Sequence, residues 1–460
     1  METKVITGTD LIELGYRPGK WFGEALAHIN AEGLAGTALQ EYLREVVPSV
    51  MEPQALGTRP FHRNIRAESP LEEENVAQVL ATMEAVMTVP TAVEGAVMPD
   101  ACPTGPVGQI PVGGVVATRN ALHPGMHSAD ICCSVMLTSL GVVPPREVLD
   151  VAQRVTHFGG GGRKDLFPLP AEIGRRMAAT RLLSDEKSRQ LAHHHLGTQG
   201  DGNHFLYVGQ SERTGETVLV THHGSRGLGA HLYSQGMRLA DNFRRERSPK
   251  TPAKNAWIPF DDPWGQEYWE ALQIVRDWTK TNHSVLHDRI ADGVGKEPTD
   301  RFWNEHNFVF RDGDLFYHAK GATPLDDRFV PDSHGGLRLI PLNMAEPILV
   351  VRGATTPTNL GFAPHGAGRN SSRSAHKRRL AGVPDEEVFR KETAGLDVRF
   401  YSGHVDISEL PSAYKDAAAV QRQMAEFGLG EVVDRILPYG CIMAGDWKKD
   451  APWRQKRRRK

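Results

Sequence analysis

The residues of this chain that could do chemistry fall in a few short stretches. "HSADICCSVM" puts Asp130 three positions before Cys133, and "LGTQGDGNHFLYVG" brings three glycines up to Asn203 and His204. "THHGSRGLG" follows His222 with Ser225 and Arg226, both able to receive phosphate oxygens, and "HNFVFR" opens on His306. A carboxylate, a thiolate and imidazoles together suit a divalent transition metal such as manganese, iron, cobalt or zinc. C-x-x-C pairs are absent, so this is not a structural zinc pattern. Read by themselves, Cys132 and Cys133 fit small buried residues of an apolar run equally well. A further stretch, "APHGAGRNSSRSAHKRR", sets His365 in a Gly-rich turn and follows it with Arg369, Arg373 and three more cations. His365 is then either a loop histidine beside a basic patch or a nucleophile in a phosphate site. Neither glycine pattern matches a P-loop or a dinucleotide fingerprint.

Such side chains need elements to hold them. Ser69-Pro70 followed by Glu72 predicts a capping box and a helix through "ENVAQVLATMEAVM". Asp262-Pro263 predicts a second helix, in which Trp264, Tyr268, Leu272, Val275, Trp278 and Val285 recur at three- and four-residue steps. Short β-like runs, "GGVVAT", "NHFLYVG", "TVLVTHH", "HNFVFR" and "PILVVRG", are punctuated by Gly, Pro and Asp, which makes the class mixed α+β. His204, His222 and His306 fall at the ends of these strands, where active-site residues concentrate. The expected division is a helical segment over 1–90 packed on the core, one catalytic domain over 91–446, and a basic tail over 447–460.

Composition narrows the class. The formal charge of −2 announces no polyanion partner globally, but "WRQKRRRK" closes the chain with six cations. That tail reads as a solvated terminus or as a non-specific electrostatic arm for RNA. No run approaches the ~18 apolar residues of a membrane span, and the first residues lack a signal-peptide pattern. Four cysteines in a chain this long make no disulfide framework. The expectation is a cytoplasmic protein without a membrane partner.

"MPD" (98–100), "PVGGVVAT", "DICC", "LGTQGDGNHF", "HHGSRGLG", "HNF", "KGAT" (320–323), "PHGAGRNSSR", "AYKD" (413–416) and "PYGCIMAG" follow one another in an order that resembles the RtcB family of 3′-phosphate RNA splicing ligases. The resemblance covers roughly residues 90 to 445. It implies an RtcB-like fold, with β-sheets wrapped by helices around a central metal cleft. It also implies a manganese centre of two ions held by Asp130, Cys133, His204, His222 and His306, with the thiolate bridging. His365 matches the guanylylated histidine, with GTP as donor and a histidine-GMP intermediate. Asn203, Lys320, Gly366, Ala367, Gly368, Arg369 and Tyr414 would bind the nucleotide, with Tyr414 as a platform for the base. Arg226 and Arg373 would hold RNA phosphates. The implied partner is RNA with a 3′-phosphate or 2′,3′-cyclic phosphate end and a 5′-hydroxyl end, in tRNA splicing or RNA repair. A monomer is expected, and an activating helper protein is left open.

The chain departs from the family pattern near the site. Cys102 replaces a histidine in "MPDAC", Cys132 and Ser134 replace glycines in "DICCS", and His223 is added in "HHGSRG". Ala319 replaces an arginine, and "PLNMA" stands at Pro341 to Ala345. Tyr207 and Ala444 replace a glutamate and a lysine that the resemblance assigns to the guanine base. The expectations are a differently shaped metal loop and a weakened guanine preference, in a divergent paralogue. The alternatives to a GTP-dependent ligase are therefore a ligase with altered nucleotide preference and a metal-dependent phosphoesterase that opens 2′,3′-cyclic phosphates without sealing.

Overall fold

Strands buried on both faces build the larger of the two main sheets. A computed structural model describes residues 5–449 except 20, 48, 332 and 334, so the tail from 450 onward lies outside the described residues. The larger sheet runs in the order Leu337–Pro341, Ile348–Arg352, Glu431–Met443, Phe205–Ser211, Thr217–His223, Ser134–Ser139, Asp300–Glu305, all antiparallel. Asp397–Phe400 adds a parallel partner to Glu431–Met443. Bulges at Val350/Val351 and Pro438/Gly440 bend two of the strands. The sheet curls until its edges meet: Asn304 Oδ1 accepts from Leu339 N at 2.7 Å, and its Nδ2 donates to Leu339 O at 3.4 Å. One side-chain amide thus stands in for a ladder rung, and the sheet is a nearly closed barrel.

The period of two sorts the strands' side chains. Leu137, Tyr207, Val218, Val220, Leu339, Ile348, Cys441 and Met443 form one buried cluster inside. Leu206, Val208, Leu219, Ile442 and Ala444 face the other way and pack against helix Pro145–Val155 and the last turns of helix Pro263–Val294. That long helix starts where expected, with Asp262 accepting from Trp264 N, and stops at Gly295 with φ +63°. Tyr268, Leu272, Val275 and Trp278 are fully buried, but past Trp278 the buried stripe turns polar with Asn282, His283 and His287.

The second sheet runs Phe61–Arg63, Ala92–Cys102, Val112–Arg119, Leu315–Lys320, Asn307–Asp312. Phe61–Arg63 therefore makes the segment 1–90 more than helical, since it pairs parallel with Ala92–Cys102. Helix Pro70–Val86 covers this sheet through Val79, Met83 and Val86. Ser69 caps it by accepting from Glu72 N at 3.3 Å, but the Glu72 carboxylate takes Glu68 N at 2.8 Å, one residue upstream of the predicted capping box. The two sheets meet at His306, the single residue between Asp300–Glu305 and Asn307–Asp312. No helix among the described residues is long and apolar enough to cross a membrane.

Candidate active site

Strand ends from both sheets deliver the metal-ligating residues to one point. Cys133 precedes Ser134–Ser139, His204 precedes Phe205–Ser211, His222 lies at the end of the paired strand Thr217–His223, and His306 joins the sheets. Cys133 Sγ lies 3.1 Å from His222 Nε2 and 3.7 Å from His204 Nε2. His222 Nε2 lies 3.2 Å from His306 Nε2, and His204 Nε2 lies 3.0 Å from Asp130 Oδ2. The donors form two groups, Cys133–His222–His306 and Asp130–Cys133–His204, and Cys133 belongs to both. The Nδ1–H of His222 donates to Asn203 O at 3.1 Å, which fixes the tautomer and leaves Nε2 as the lone-pair donor. A thiol, three imidazoles and a carboxylate, with the thiol shared, is a donor set that fits two transition-metal ions.

Local backbone makes this convergence possible. Gly224 lies against the Asp130 carboxylate, and a side chain there would collide with it. Cys132 sits at φ +56°, so the metal loop takes the left-handed turn that a glycine would favour although none is present. Its N–H donates to Asn307 O at 2.7 Å, which holds the turn. Burial depresses His222 to about 3, with His204 adding to it, and puts His306 well below the ordinary imidazole range. Burial, reinforced by the Asp130 charge, pushes the Cys133 thiol well up. Burial acts to raise Asp130, but His204, Cys133 and Arg226 together outweigh it and hold the carboxyl at about 2.

His365 stands beside this cluster, its ring centroid 4.9 Å from that of His306. Fully buried Asp100 accepts from His365 N at 3.2 Å and pairs with His365 Nδ1 at 2.5 Å through the same oxygen, Oδ2. With the proton on Nδ1 and facing the carboxylate, Nε2 carries the free lone pair. Gly368 completes the turn at φ +71°, where a side chain would strike Asp100 O. Asp100 was missed as a functional residue by sequence reasoning, although "MPD" contains it.

A cavity of about 890 Å³, its open mouth included, extends from His222, Asn203, His365, Gly366, Ala367 and Gly368 into the barrel. Arg369 and Tyr414 line it together with Glu409, which no sequence signal marked. Arg369 donates to Ser408 O and to Glu409 Oε2, both at 2.6 Å, and its guanidinium lies 4.6 Å from the Tyr414 ring centroid. The Tyr414 hydroxyl donates to Glu409 Oε2 at 2.7 Å, and Arg373 pairs with Oε1 at 2.9 Å.

Lys320, Arg226 and Arg373 are not among the lining residues. Lys320 donates to Thr104 Oγ1 at 2.8 Å and to Ile110 O at 3.1 Å, and burial lowers it to about 8. Arg226 donates to Gly159 O at 2.8 Å and to Thr198 Oγ1 at 3.2 Å, so it braces the loops behind His204. Arg373 is half exposed and lies over Gly202, in the loop leading to His204. Tyr207 lines the cavity; Ala444 faces the outer core instead.

Fold and site define a mixed α+β barrel protein with a buried Cys/His/Asp cluster able to bind metal, beside a carboxylate-held histidine. The family model described as tRNA-splicing ligase RtcB matches residues 144–444, more than half of the chain, and the chain belongs to the RtcB family. That span holds His204, His222, His306 and His365, whereas Asp100, Asp130 and Cys133 precede it. The chain is similar to the tRNA-splicing ligase RtcB of Pyrococcus abyssi, 27% identical over 346 residues, which are 64% of this chain and 36% of that protein. It is also similar to the tRNA-splicing ligase RtcB of Thermococcus kodakarensis, 29% identical over 332 residues, 63% of this chain and 68% of the relative. The RNA-splicing ligase RtcB of Mycobacterium tuberculosis is 29% identical over 286 residues, 54% of this chain and 64% of the relative. The chain thus spans about a third of the length of the Pyrococcus relatives it matches (36%, 34% and 38%). Identities this low fit a divergent paralogue.

Proposed function

We propose that this protein is an RNA ligase that joins a 3′-phosphate or 2′,3′-cyclic phosphate end to a 5′-hydroxyl end through a nucleotide carried on His365. Family membership supports the reaction class. The observation that carries the reading is the juxtaposition of an Asp100-held His365 with two donor groups that share Cys133. The relatives named as tRNA-splicing and RNA-splicing ligases support RNA as the substrate.

Asp130, Cys133, His204, His222 and His306 would hold two ions, manganese in our reading. When bound, the ions neutralise phosphate charge and polarise the phosphorus–oxygen bonds. His365 Nε2 attacks the α-phosphorus of a nucleoside triphosphate, GTP by family resemblance; the N–P bond forms, the bond to the bridging oxygen breaks, and pyrophosphate leaves with the electron pair. Asp100 keeps the proton on Nδ1 and stabilises the positive charge that grows on the ring, as the carboxylate does in a Ser-His-Asp triad. Asn203 and the Gly366–Gly368 turn line the space in which the phosphates would lie. Glu409 pairs with Arg369, Arg373 and Tyr414, and incoming RNA would compete with it for the half-exposed Arg373.

The test is joining of two synthetic RNA strands, one ending in a 2′,3′-cyclic phosphate and the other starting with a 5′-hydroxyl, with manganese and nucleoside triphosphates. A joined product that disappears in His365→Ala supports the proposal. Opening of the cyclic phosphate with no joined product would replace it with the phosphoesterase reading.

A further inference from the structure

We infer that Trp447 is a stacking platform for a nucleobase of the RNA, at or next to its reacting end. The inference rests on the proposed function, because it names where that RNA is held. Trp447 lies past the family match, which ends at residue 444, and no step at His365 uses it. Its ring is nonetheless tied to the site. The indole Nε1–H donates to Asp201 Oδ2 at 3.1 Å, and Asp201 O accepts from the backbone N–H of the candidate ligand His204 at 3.3 Å. The rim atoms Cη2 and Cζ2 of the six-membered ring rest on Gly160, where a side chain would collide with them. Anchored at these two points, Trp447 is still 41% exposed. A ring already fixed in place loses little further freedom when a base stacks on it.

The surface around the ring suits a polyanionic strand. The loop 157–161 under Trp447 is joined to the loop 200–204: Gly159 N donates to Gly200 O at 2.7 Å, and Gln199 N donates to His157 O at 2.8 Å. A second exposed aromatic, Tyr401, packs on the same loop, its ring 5.6 Å from Phe158 and 6.2 Å from His157. Lys448 Nζ lies 4.5 Å from the Trp447 ring centroid, and half-exposed Arg373 lies over Gly202. Lys448 and Lys449 add to the six cations of the closing run, which lies outside the described residues, against two acids, Asp446 and Asp450. Aromatic faces among cations hold single strands, because every base has a π-face and the cations follow the backbone.

The distance to the chemistry is short. Asn203, which lines the cavity holding His365, comes two residues after Asp201. Two residues of backbone span at most about 7 Å. A base on Trp447 therefore belongs to the nucleotide that carries the reacting phosphate or hydroxyl, or to its neighbour.

The experiment is binding of the full chain, with manganese and without nucleoside triphosphate, to two short single-stranded RNAs read by fluorescence anisotropy. One RNA ends in a 3′-phosphate and the other starts with a 5′-hydroxyl. Each is compared with versions made abasic at one nucleotide at a time. In at least one of them, an abasic site at the reacting end or beside it should weaken binding about 5–150-fold, and sites further in should matter less. Trp447→Ala should bind the intact RNA as weakly as wild type binds that abasic RNA, and should not distinguish the two. Trp447→Phe keeps a π-face without the N–H and should restore most of the affinity. Phenylalanine as weak as alanine would show that Trp447 only braces Asp201 and would overturn the inference. An abasic effect that persists in Trp447→Ala, or none at either end in wild type, would overturn it as well. Where Trp447→Ala does not fold, Trp447→Leu, which fills space without a π-face, takes its place. A chain that joins RNA ends but shows no such stacking overturns this inference alone. Stacking in a chain that joins nothing counts against the ligase proposal alone.

Discussion

Removing the Asp100 carboxylate should slow nucleotide transfer to His365 in a graded way, and the grading follows from one backbone N–H. Asp100 Oδ2 accepts from both His365 N and His365 Nδ1, and the side chain is fully buried. Losing a hydrogen bond to a charged group costs about 1.5–3 kcal/mol. At about 1.4 kcal/mol per tenfold, Asp100→Ala should therefore be roughly 10–150-fold slower. Asparagine could in principle reverse the tautomer by turning its NH₂ toward the ring. The His365 N–H forbids that, because it donates to the same atom and would meet the amide hydrogens head on. The asparagine carbonyl oxygen must then face His365, Nδ1 stays protonated, and only the charge is lost. A charged bond exceeds a neutral one by about 1–1.5 kcal/mol, so Asp100→Asn should be about 5–15-fold slower. The assay is the single-turnover rate of label transfer to the chain, with the melting temperature of each variant measured alongside. Asp100→Ala within threefold of wild type would show that the carboxylate does not hold the histidine. Asparagine falling far below alanine would show that the tautomer argument is wrong.

Other consequences are as specific. Cys133→Ser should lower the bound metal from two ions to at most one, because its sulfur belongs to both donor groups; elemental analysis after equilibration with manganese and gel filtration reads this directly. Burial keeps the Cys133 thiol protonated and His222 neutral in the metal-free protein. Metal uptake should then release one proton and tighten about tenfold per pH unit near neutrality, measured by calorimetry in buffers of different ionisation enthalpy. Lys320, lowered to about 8 by burial, binds fewer protons folded than unfolded between about pH 8 and 10.5. Stability should therefore rise with pH across that window by up to about 1.4 kcal/mol per unit, and Lys320→Met should flatten the slope in urea titrations.

Much of this site could be read from the sequence, and what could not has physical causes. The strand-end positions of His204, His222 and His306 were legible because apolar alternation and flanking Gly and Asn mark strand ends. The metal loop makes a left-handed turn at Cys132 without a glycine, and the hydrogen bond to Asn307 O supports a conformation that composition argues against. The cations were harder. Arg226 and Arg369 look like free phosphate ligands in the chain, but Gly159 and Thr198 bind the first, and Ser408 and Glu409 the second. Those partners are remote in sequence, and no local pattern announces them. Ala444 illustrates the same limit at a strand end. Beyond the bulge at Pro438/Gly440 the inward parity falls on Cys441 and Met443, so Ala444 faces the outer core. The closing of the barrel by Asn304 was equally invisible, since one amide spanning two edges has no sequence period.

The most direct test is peptide mapping by mass spectrometry after incubation of the intact chain with manganese and nucleoside triphosphates, kept at neutral or alkaline pH to preserve a nitrogen–phosphorus bond. The account predicts one nucleoside monophosphate on the peptide containing His365 and none in His365→Ala. A modification at another residue, or an unmodified chain under conditions in which it still joins RNA ends, would contradict it.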